Sequence, residues 1–381
     1  MYVLTFISWF LVIMPILIIF YQDNGLSMTQ IFITQAVFSV AIVALEVPSG
    51  YFADRVGRKA SIVTGTIAYF VGMMIYSFSY GFYGFLFAEI FLGFGAAFIS
   101  GADTAILYDT LVELKNEDKF KKISARQTAL NSFSEGLAAI LGGFVAVISL
   151  RYDFYLRTAI LLVGIPIALS LTEPKIHKFE IVEGHIKEIL KAARFALFEN
   201  KKIKWLMIYS IFSGLATFCA VWFIQPYWQS VGLPLAFFGI NWAILQFTIS
   251  VFALGAPKIE SVIGKKNLLF ILPFFIAIAF ISLGMVNSIW GIAIIFIFYI
   301  VRGIRSPLLY AYINELIPSH IRATVLSVKS FLSRLFFAGL GPFLGWYADV
   351  YTLSQAMIFS GILFFVLGFG SFLLLKKSHA L

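Results

Sequence analysis

Charged residues are scarce in this sequence. Asp, Glu, Lys and Arg make up 12% of the 381 residues and hydrophobic residues make up 61%, whereas an ordinary soluble domain is roughly 25% charged. Because no soluble core could bury so much apolar surface, we expect lipid to be the solvent. The one cysteine, Cys219, excludes an internal disulfide. The histidines all fall in predicted loops or in the tail, which excludes a histidine proton relay inside the membrane; they are His177, His185, His320 and His379.

Long apolar runs fill most of the chain. A transmembrane helix needs about 20 mostly apolar residues, and the polar interruptions predict twelve such spans, so the predicted fold class is all-α integral membrane. The predicted spans are residues 2–21, 30–50, 60–80, 82–109, 123–149, 154–172, 204–228, 235–255, 267–286, 289–313, 322–346 and 353–375. The first run has neither a basic region before it nor a cleavage site, so we interpret it as a retained helix.

Basic residues concentrate on one side of the predicted membrane. With a cytoplasmic N-terminus, the inner loops and tail carry 22 of the 28 Lys and Arg residues, and the outer loops carry only Arg151 and Arg157. This positive-inside bias predicts a multi-pass protein of the bacterial inner membrane with both termini in the cytoplasm. The net charge of +9 is therefore attributed to topology, and we expect no nucleic-acid partner.

A polar interruption divides six spans from six. The predicted domains are an N-terminal six-helix bundle (1–172), a cytoplasmic linker (173–203) and a C-terminal six-helix bundle (204–381). The linker has the pattern of an amphipathic helix, which fits either the inner membrane surface or an ordinary solvated linker. LYxxxxE occurs at 107–113 and 309–315, each time followed by RxTxL in the next span. Six spans separate the two copies, so we predict a parallel repeat.

A dense ionic turn joins spans 2 and 3. The stretch GYFADRVGRKAS contains the pattern GxxxDRxGRK, formed by Gly50, Asp54, Arg55, Gly57, Arg58 and Lys59. With the six-plus-six repeat, this motif resembles the major facilitator superfamily of secondary transporters, and the resemblance covers the whole chain. It implies two bundles related by pseudo-twofold symmetry, alternating access, and a cytoplasmic latch at this loop. Asp109 and Glu113 are the expected acidic partners of the latch.

The second half keeps only part of this motif. Gly264 and Lys265 align with Gly57 and Arg58, while Ser261 stands where the motif has Asp54, so we expect a weaker latch there. Residues 134–143, SEGLAAILGG, keep only the last glycines of the helix 5 pattern that the family's antiporters carry. These departures leave proton coupling and transport direction open.

Several charged residues lie within the predicted spans. A central charge costs about 2.5 to 3.5 kcal/mol in lipid, so we expect Arg302, Arg305 and Arg334 to face inward and to hold a carboxylate or phosphate. The predicted substrate-binding residues are Arg302, Arg305, Arg334, Glu135, Asn131, Glu89, Trp222 and Gln246. The predicted proton-coupling residues are Glu135, Glu89, Asp103 and Glu46. The alternatives are helix-packing seams, an interfacial aromatic belt for Trp222, and a gate that closes by ion pairing between the acidic and basic sets.

Other functional classes lack their motifs. The sequence contains no GxxxxGK[ST], HExxH or GxSxG, which argues against an ATP-driven pump and against an enzyme, and we expect no cofactor and no metal. The expected partners are a small-molecule substrate, protons and membrane lipids, with the protein a monomer. We favour proton-coupled efflux of a small amphipathic or anionic organic compound, as in the family's drug-exporter branch. The alternative is import or export of a polyanionic metabolite such as a carboxylate siderophore or an organophosphate.

Overall fold

The computed structural model of the chain describes residues 1–174, 191, 193–318 and 321–378, and every regular element in these ranges is helical. In chain order the helices are α1 (Tyr2–Trp9), α2 (Leu17–Asp23), α3 (Met28–Arg55), α4 (Arg58–Phe78), α5 (Phe82–Ile99), α6 (Ala102–Glu113), α7 (Phe120–Ile148), α8 (Leu150–Leu169), α9 (Lys201–Ser230), α10 (Ala236–Ile263), α11 (Lys265–Met285), α12 (Ile292–Leu316), α13 (Arg322–Val350) and α14 (Leu353–Lys377).

Eleven segments of this described part are long and apolar enough to cross a membrane, and they match the predicted spans from the second to the twelfth. Helices α5 and α6 form one of them, Phe82–Glu113, because only Ser100 and Gly101 lie between the two helices. Gly101 has a φ of +81°, which an L residue rarely adopts and which favours glycine. The predicted all-α integral membrane class is confirmed.

The first predicted span, residues 2–21, is divided into two short helices. Helix α1 ends at Trp9 and α2 begins at Leu17, and the backbone between them makes short-range turn hydrogen bonds. Pro15 lies in this break and has no backbone N–H, so it cannot continue the i to i−4 pattern of an α-helix. An apolar run long enough to span the membrane is therefore interrupted by its one proline.

Arg157 of α8 donates hydrogen bonds to the backbone at this break. Its Nη1 donates to the carbonyl oxygens of Ile7 at 2.6 Å and Phe10 at 3.2 Å, and its Nη2 donates to Ser8 at 2.9 Å. These carbonyls lie at the end of α1, where the regular hydrogen bonds of the helix stop, and those of Ile7 and Phe10 also accept backbone N–H groups of the turn at 3.3 and 3.2 Å. Arg157 is only 3% exposed. The placement of Arg157 in an outer loop was wrong, because its guanidinium group is used to cap a helix end inside the protein.

Arg151, on the same helix, also donates hydrogen bonds to backbone carbonyls at a helix end. Its Nη1 donates to the carbonyl oxygens of Ser77 and Ser79, both at 3.0 Å, at the end of α4, and its Nη2 donates to Asn24 Oδ1 at 2.7 Å. Arg151 belongs to α8, so its assignment to an outer loop was also wrong. Both arginines fix helix ends, which hydropathy alone cannot indicate.

Contacts between Cα atoms divide the chain into two compact units. Unit 1 comprises Met1–Ile181 with Pro234–Ile244, and unit 2 comprises Val182–Leu233 with Leu245–Leu381. Helix α10 thus contributes its first turns to unit 1 and the rest of its length to unit 2. The centre of the predicted linker helix lies outside the described residues, and the domain boundaries at 172 and 204 stay a prediction.

Glycines bring helix backbones together within unit 1. A Cβ atom on Gly65 of α4 would lie 2.9 Å from the carbonyl oxygen of Gly95 of α5. A Cβ on Gly143 of α7 would lie 2.8 Å from the backbone nitrogen of Gly239 in α10. Such close approach is typical of membrane helices, where packing of small residues replaces the hydrophobic driving force. The glycine in the partial antiporter pattern therefore has a packing role against α10.

Glycines also bring helix backbones together within unit 2. A Cβ on Gly303 of α12 would lie 2.7 Å from the carbonyl oxygen of Ile249 in α10, and one on Gly284 of α11 would lie 2.5 Å from that of Ser354 in α14. Helix α9 is the most buried of the spans, with 72% of its most apolar window inside the structure. Arg305 of α12 packs against this helix, at Ser210 and Gly214.

Candidate functional site

A buried polar cluster in unit 1 surrounds Glu89 of α5. Its Oε1 accepts hydrogen bonds from Tyr76 Oη at 2.6 Å, Gln35 Nε2 at 2.7 Å and Tyr21 Oη at 2.9 Å. The two tyrosine hydroxyls are 2.5 Å apart, and Gln35 Nε2 also donates to Tyr21 at 3.1 Å. Four helices, α2 to α5, each supply one member. All four side chains are buried, with Glu89 4% exposed.

The break in the first span determines this arrangement. Because α2 starts anew at Leu17, its direction is independent of α1, and Tyr21 is fully buried with its hydroxyl at Glu89. Sequence reasoning selected Glu89 but missed Tyr21 and Tyr76. Two tyrosines among 17 carry no pattern that separates a hydrogen-bonding residue from a lipid-facing one.

The predicted acidic residues do not all join this cluster. Glu135 of α7 is half-buried, and its Oε1 accepts a hydrogen bond from Trp242 Nε1 at 3.4 Å. Asp103 is exposed and accepts from the backbone N–H of Thr104 at 2.6 Å. Glu46 is half-buried in α3. Glu89 itself accepts hydrogen bonds from side chains of three other helices.

The polar stripe of α7 lies against α1. Ser134 donates to the carbonyl oxygen of Phe6 at 2.7 Å, and Gln127 Nε2 donates to Thr5 at 3.4 Å. With its amide turned to satisfy both neighbours, Asn131 accepts from Trp9 Nε1 at 3.3 Å. The packing seam weighed as the alternative for this stripe is thus visible at Asn131, whose substrate-binding role stays a prediction.

A second buried acid escaped sequence reasoning. Asp153 lies in the first turn of α8, is fully buried, and neither carboxylate oxygen has a hydrogen-bond partner in the described part of the chain. The predicted span 6 began one residue later, which placed Asp153 in a loop. A helix N-terminus favours negative charge through its dipole, and this contributes to holding the group there.

The three arginines predicted to bind substrate lie in unit 2. Arg302 and Arg305 are one turn apart on α12, and Arg334 is half-buried on α13. The Arg305 Nη1 atom lies 3.5 Å from the carbonyl oxygen of Ser210 in α9, and the guanidinium group packs over Gly214, where a Cβ would lie 3.0 Å from Nη2. The absence of a side chain on Gly214 therefore makes room for Arg305.

The remaining predicted substrate residues are on α9 and α10. Trp222 is buried, and its ring meets that of Phe218 edge-on with centroids 6.1 Å apart. Gln246 is half-buried on α10. An aromatic belt at the membrane surface would leave Trp222 more exposed, so its position favours a role inside the unit.

The latch loop between α3 and α4 is held within unit 1. Arg58 Nε forms an ion pair with Asp109 Oδ2 at 2.8 Å, and both side chains are about one-fifth exposed. The carboxylate of Glu173 accepts the backbone N–H groups of Arg58 at 2.7 Å and Lys59 at 2.6 Å, so it caps the start of α4. Gly57 has a φ of +127°, so a side chain there would strain the turn.

Sequence reasoning identified Asp109 as a candidate partner and missed Glu173, which it counted as the first part of the linker. The other members of the motif are at the surface: Gly50, Asp54, Arg55 and the further candidate Glu113 are all exposed. Arg55 Nη1 donates to Tyr51 Oη at 2.5 Å. Arg58 is thus the member of the motif that contacts both acidic residues, Asp109 through its side chain and Glu173 through its backbone N–H.

The corresponding loop of the second half, between α10 and α11, has a different stabilising contact. Lys265, which aligns with Arg58, places its Nζ 4.0 Å from the centroid of the Tyr312 ring. The Tyr312 hydroxyl donates to Glu260. A cation over an aromatic face is attracted by the ring quadrupole. This loop therefore uses a cation–π contact in the place where the first half uses an ion pair.

Comparisons with known proteins agree with this architecture. The profile of the family described as Major Facilitator Superfamily matches residues 1–337. The uncharacterized MFS-type transporter YxaM of Bacillus subtilis (strain 168) is 25% identical over 340 residues, covering 83% of this chain and 80% of that protein. Multidrug resistance protein 2 of the same organism is 23% identical over 364 residues, covering 93% and 88%. The crystal structure of nucleoside transporter NupG superposes with a TM-score of 0.84 at 16% identity, covering 98% of each chain.

Proposed function

The chain belongs to the Major Facilitator Superfamily of membrane transporters, and from this membership we propose that it exports a small amphipathic or anionic organic compound by alternating access, in exchange for protons. It is a multi-pass membrane transporter and not an enzyme. The name of Multidrug resistance protein 2, a relative similar over most of both chains, supports export. The positive-inside bias supports placement in a bacterial inner membrane with both termini in the cytoplasm.

The main support for proton coupling is the cluster of hydrogen bonds around Glu89. A carboxylate buried inside a membrane protein is expensive to keep and is rarely present without a function. Here three donors from three other helices converge on one oxygen. We therefore assign the coupling proton to Glu89, ahead of Glu135, Asp103 and Glu46.

The cluster also supplies a physical link between protonation and helix packing. A hydrogen bond to a charged group contributes about 1.5 to 3 kcal/mol, and one between neutral groups about 0.5 to 1.5 kcal/mol. Protonation of Glu89 would weaken each of its three hydrogen bonds by about 1 kcal/mol, or roughly 3 kcal/mol together. Because the donors sit on α2, α3 and α4, one proton would loosen the contacts among four helices.

The arginines of unit 2 support an acidic group on the substrate. Arg302, Arg305 and Arg334 carry formal charge inside predicted spans, where packing alone would not require it. Guanidinium groups bind carboxylates and phosphates by paired hydrogen bonds. The same observation favours the second candidate function, transport of a polyanionic metabolite such as a carboxylate siderophore or an organophosphate.

A flux experiment in proteoliposomes tests the proposal. Vesicles with an acidic lumen, and with potassium and valinomycin clamping the membrane potential, receive an external fluorescent monocarboxylate. Proton exit should drive its accumulation, and a protonophore should abolish it. Passive acid trapping concentrates weak bases and not weak acids, so accumulation of the anion cannot arise by diffusion. Protein-dependent accumulation of a permanently charged cationic dye alone would refute the anionic assignment, and accumulation of a sugar phosphate alone would favour the second candidate.

A further inference from the structure

One face of α8 carries a buried acid and a buried base one turn apart. Asp153 and Arg157 are 0% and 3% exposed, and they share the buried side of this helix with Phe154 and Leu161. Side chains at positions i and i+4 of a helix are neighbours, with Cβ atoms about 5 to 6 Å apart. The two residues are therefore within reach of an ion pair that requires no change in the backbone.

The described part of the chain does not contain that ion pair. The Nη atoms of Arg157 donate instead to the carbonyl oxygens of Ile7, Ser8 and Phe10, at 2.6 to 3.2 Å. Arg157 Nε and both carboxyl oxygens of Asp153 are buried and have no hydrogen-bond partner among the described residues. The nearest cation along the helix is thus bound to the backbone of α1.

The helices around this end of α8 bring no other cation to Asp153. Helix α8 packs against α1, α4 and α7, and Phe154 stacks on Phe20 of α2 with ring centroids 3.9 Å apart. Helix α1 has no charged residue, α4 has none after Lys59, α7 has none after Glu135, and α2 has only the exposed Asp23. The basic residues of α4 and α7 all lie in the first two turns of those helices, far from the start of α8.

Other ionisable groups near the start of α8 are bonded elsewhere. The ring centroid of Tyr76 lies 5.4 Å from that of Phe154, and its hydroxyl donates to Glu89, as does that of Tyr21. Arg151 donates to carbonyl oxygens at the end of α4. A buried carboxylate without a partner takes up a proton, because the dipole of a helix start offsets only a small part of the cost of removing the ion from water.

We propose that Asp153 is a proton-binding site, and that loss of its proton transfers Arg157 from the end of α1 to Asp153. In the described state the carboxyl group is neutral and Arg157 holds α1. When the proton passes to water, the carboxylate attracts the guanidinium group one turn away, and the carbonyls of α1 lose this donor. The inference goes beyond the proposed function, because it concerns the attachment of α1 and leaves the coupling proton with Glu89.

Infrared spectroscopy of the purified full-length protein in detergent tests for the proton. A protonated carboxylic acid has a C=O stretching band that a carboxylate lacks. At neutral pH the wild type should show one such band that disappears in Asp153→Asn. Asp23→Asn is the matched control, because Asp23 is an exposed acid of the same unit, and its spectrum should equal that of the wild type. Identical spectra of the wild type and Asp153→Asn in this region would overturn the proposal.

A pH titration of the same band tests the counter-ion. Arg157→Gln removes the group that pairs with the carboxylate, so Asp153 should hold its proton about tenfold more tightly, as expected for one lost charged hydrogen bond. Arg157→Lys keeps the charge and should titrate close to the wild type. An unchanged or lower midpoint in Arg157→Gln would overturn the pairing, as would a wild-type band that persists at every pH at which the protein stays folded.

Hydrogen exchange of α1 provides a test that leaves Arg157 in place. At a pH where the wild-type band is lost, the amides of Tyr2–Trp9 should exchange roughly fivefold faster in the wild type than in Asp153→Asn, as expected for a released hydrogen bond. At a pH where the band is present, the two proteins should exchange alike. Comparison at each pH cancels the intrinsic pH dependence of exchange. Equal exchange at every pH would overturn the transfer of Arg157. None of these measurements involves flux, so their outcome is independent of export.

Discussion

Replacing Glu89 with Gln should separate substrate exchange from proton coupling. The amide keeps the size of the side chain and an oxygen that can accept from Tyr21, Tyr76 and Gln35, which lie 2.6 to 2.9 Å away. It cannot gain or lose a proton. Helix packing should therefore survive, while the difference of roughly 3 kcal/mol between charged and neutral hydrogen bonds is no longer available to drive the cycle.

The size of the effect follows from the gradient. A two-unit pH difference is worth about 2.7 kcal/mol, which sustains a concentration ratio of about one hundred for one-for-one exchange. Wild-type vesicles should approach that ratio for a monocarboxylate at zero membrane potential. Glu89→Gln vesicles should stop at a ratio near one, yet still exchange labelled for unlabelled probe when both sides contain it.

Two variants make the outcome decisive. Glu117→Gln removes an exposed carboxylate from the loop before α7 and should behave as the wild type. Glu135→Gln removes the half-buried carboxylate that accepts from Trp242 and should keep coupling. Uphill accumulation by Glu89→Gln, or its loss in Glu135→Gln alone, would refute the assignment of the proton to Glu89.

Three further predictions concern packing and the latch. Arg157→Met removes three hydrogen bonds to carbonyls at the end of α1, leaves that of Ser8 without its donor, and should cost about 1 to 3 kcal/mol of stability, seen as a lower melting temperature in detergent; an unchanged value would contradict the capping role. Arg58→Asp and Asp109→Arg should each slow transport, and the double exchange should restore part of the rate by re-forming a partly exposed pair worth about 1 kcal/mol; a double variant no faster than the singles would exclude the ion pair. Gly143→Ala places a methyl group 2.8 Å from a backbone nitrogen of α10 and should destabilise the protein by about 1 to 3 kcal/mol, whereas Gly136→Ala on the same helix meets nothing within 4 Å and should be neutral; equal melting temperatures would argue against the close contact.

Hydropathy and charge predicted most of the fold, because span length and loop charge are local properties of the sequence. Eleven segments appear where the apolar runs predicted them. The division of the first span was not predicted, since a run with one internal proline reads alike whether the helix continues or breaks. Pro15 lies in the break, and Arg157, a residue about 150 positions away, supplies additional donors to the carbonyls there. That information exists only in the folded protein.

The residues of the candidate site likewise include some that the sequence predicted and some that it did not. Glu89, Arg302 and Arg305 were predicted because a formal charge within a span is conspicuous. Tyr21 was not, because a tyrosine near the end of a span is typical of the membrane interface, and only its neighbours reveal another role. Likewise, Glu173 caps backbone N–H groups, which every residue but proline has and which no side-chain pattern can indicate.

The most direct test of proton-coupled export measures both fluxes at once. Proteoliposomes are loaded with the monocarboxylate and a pH-sensitive dye, with equal pH on both sides and the membrane potential clamped at zero. If the protein exchanges its substrate for protons, outward flow of the anion must acidify the lumen in the wild type and must leave the lumen pH unchanged in Glu89→Gln. Efflux from wild-type vesicles without acidification, or with alkalinisation, would contradict exchange.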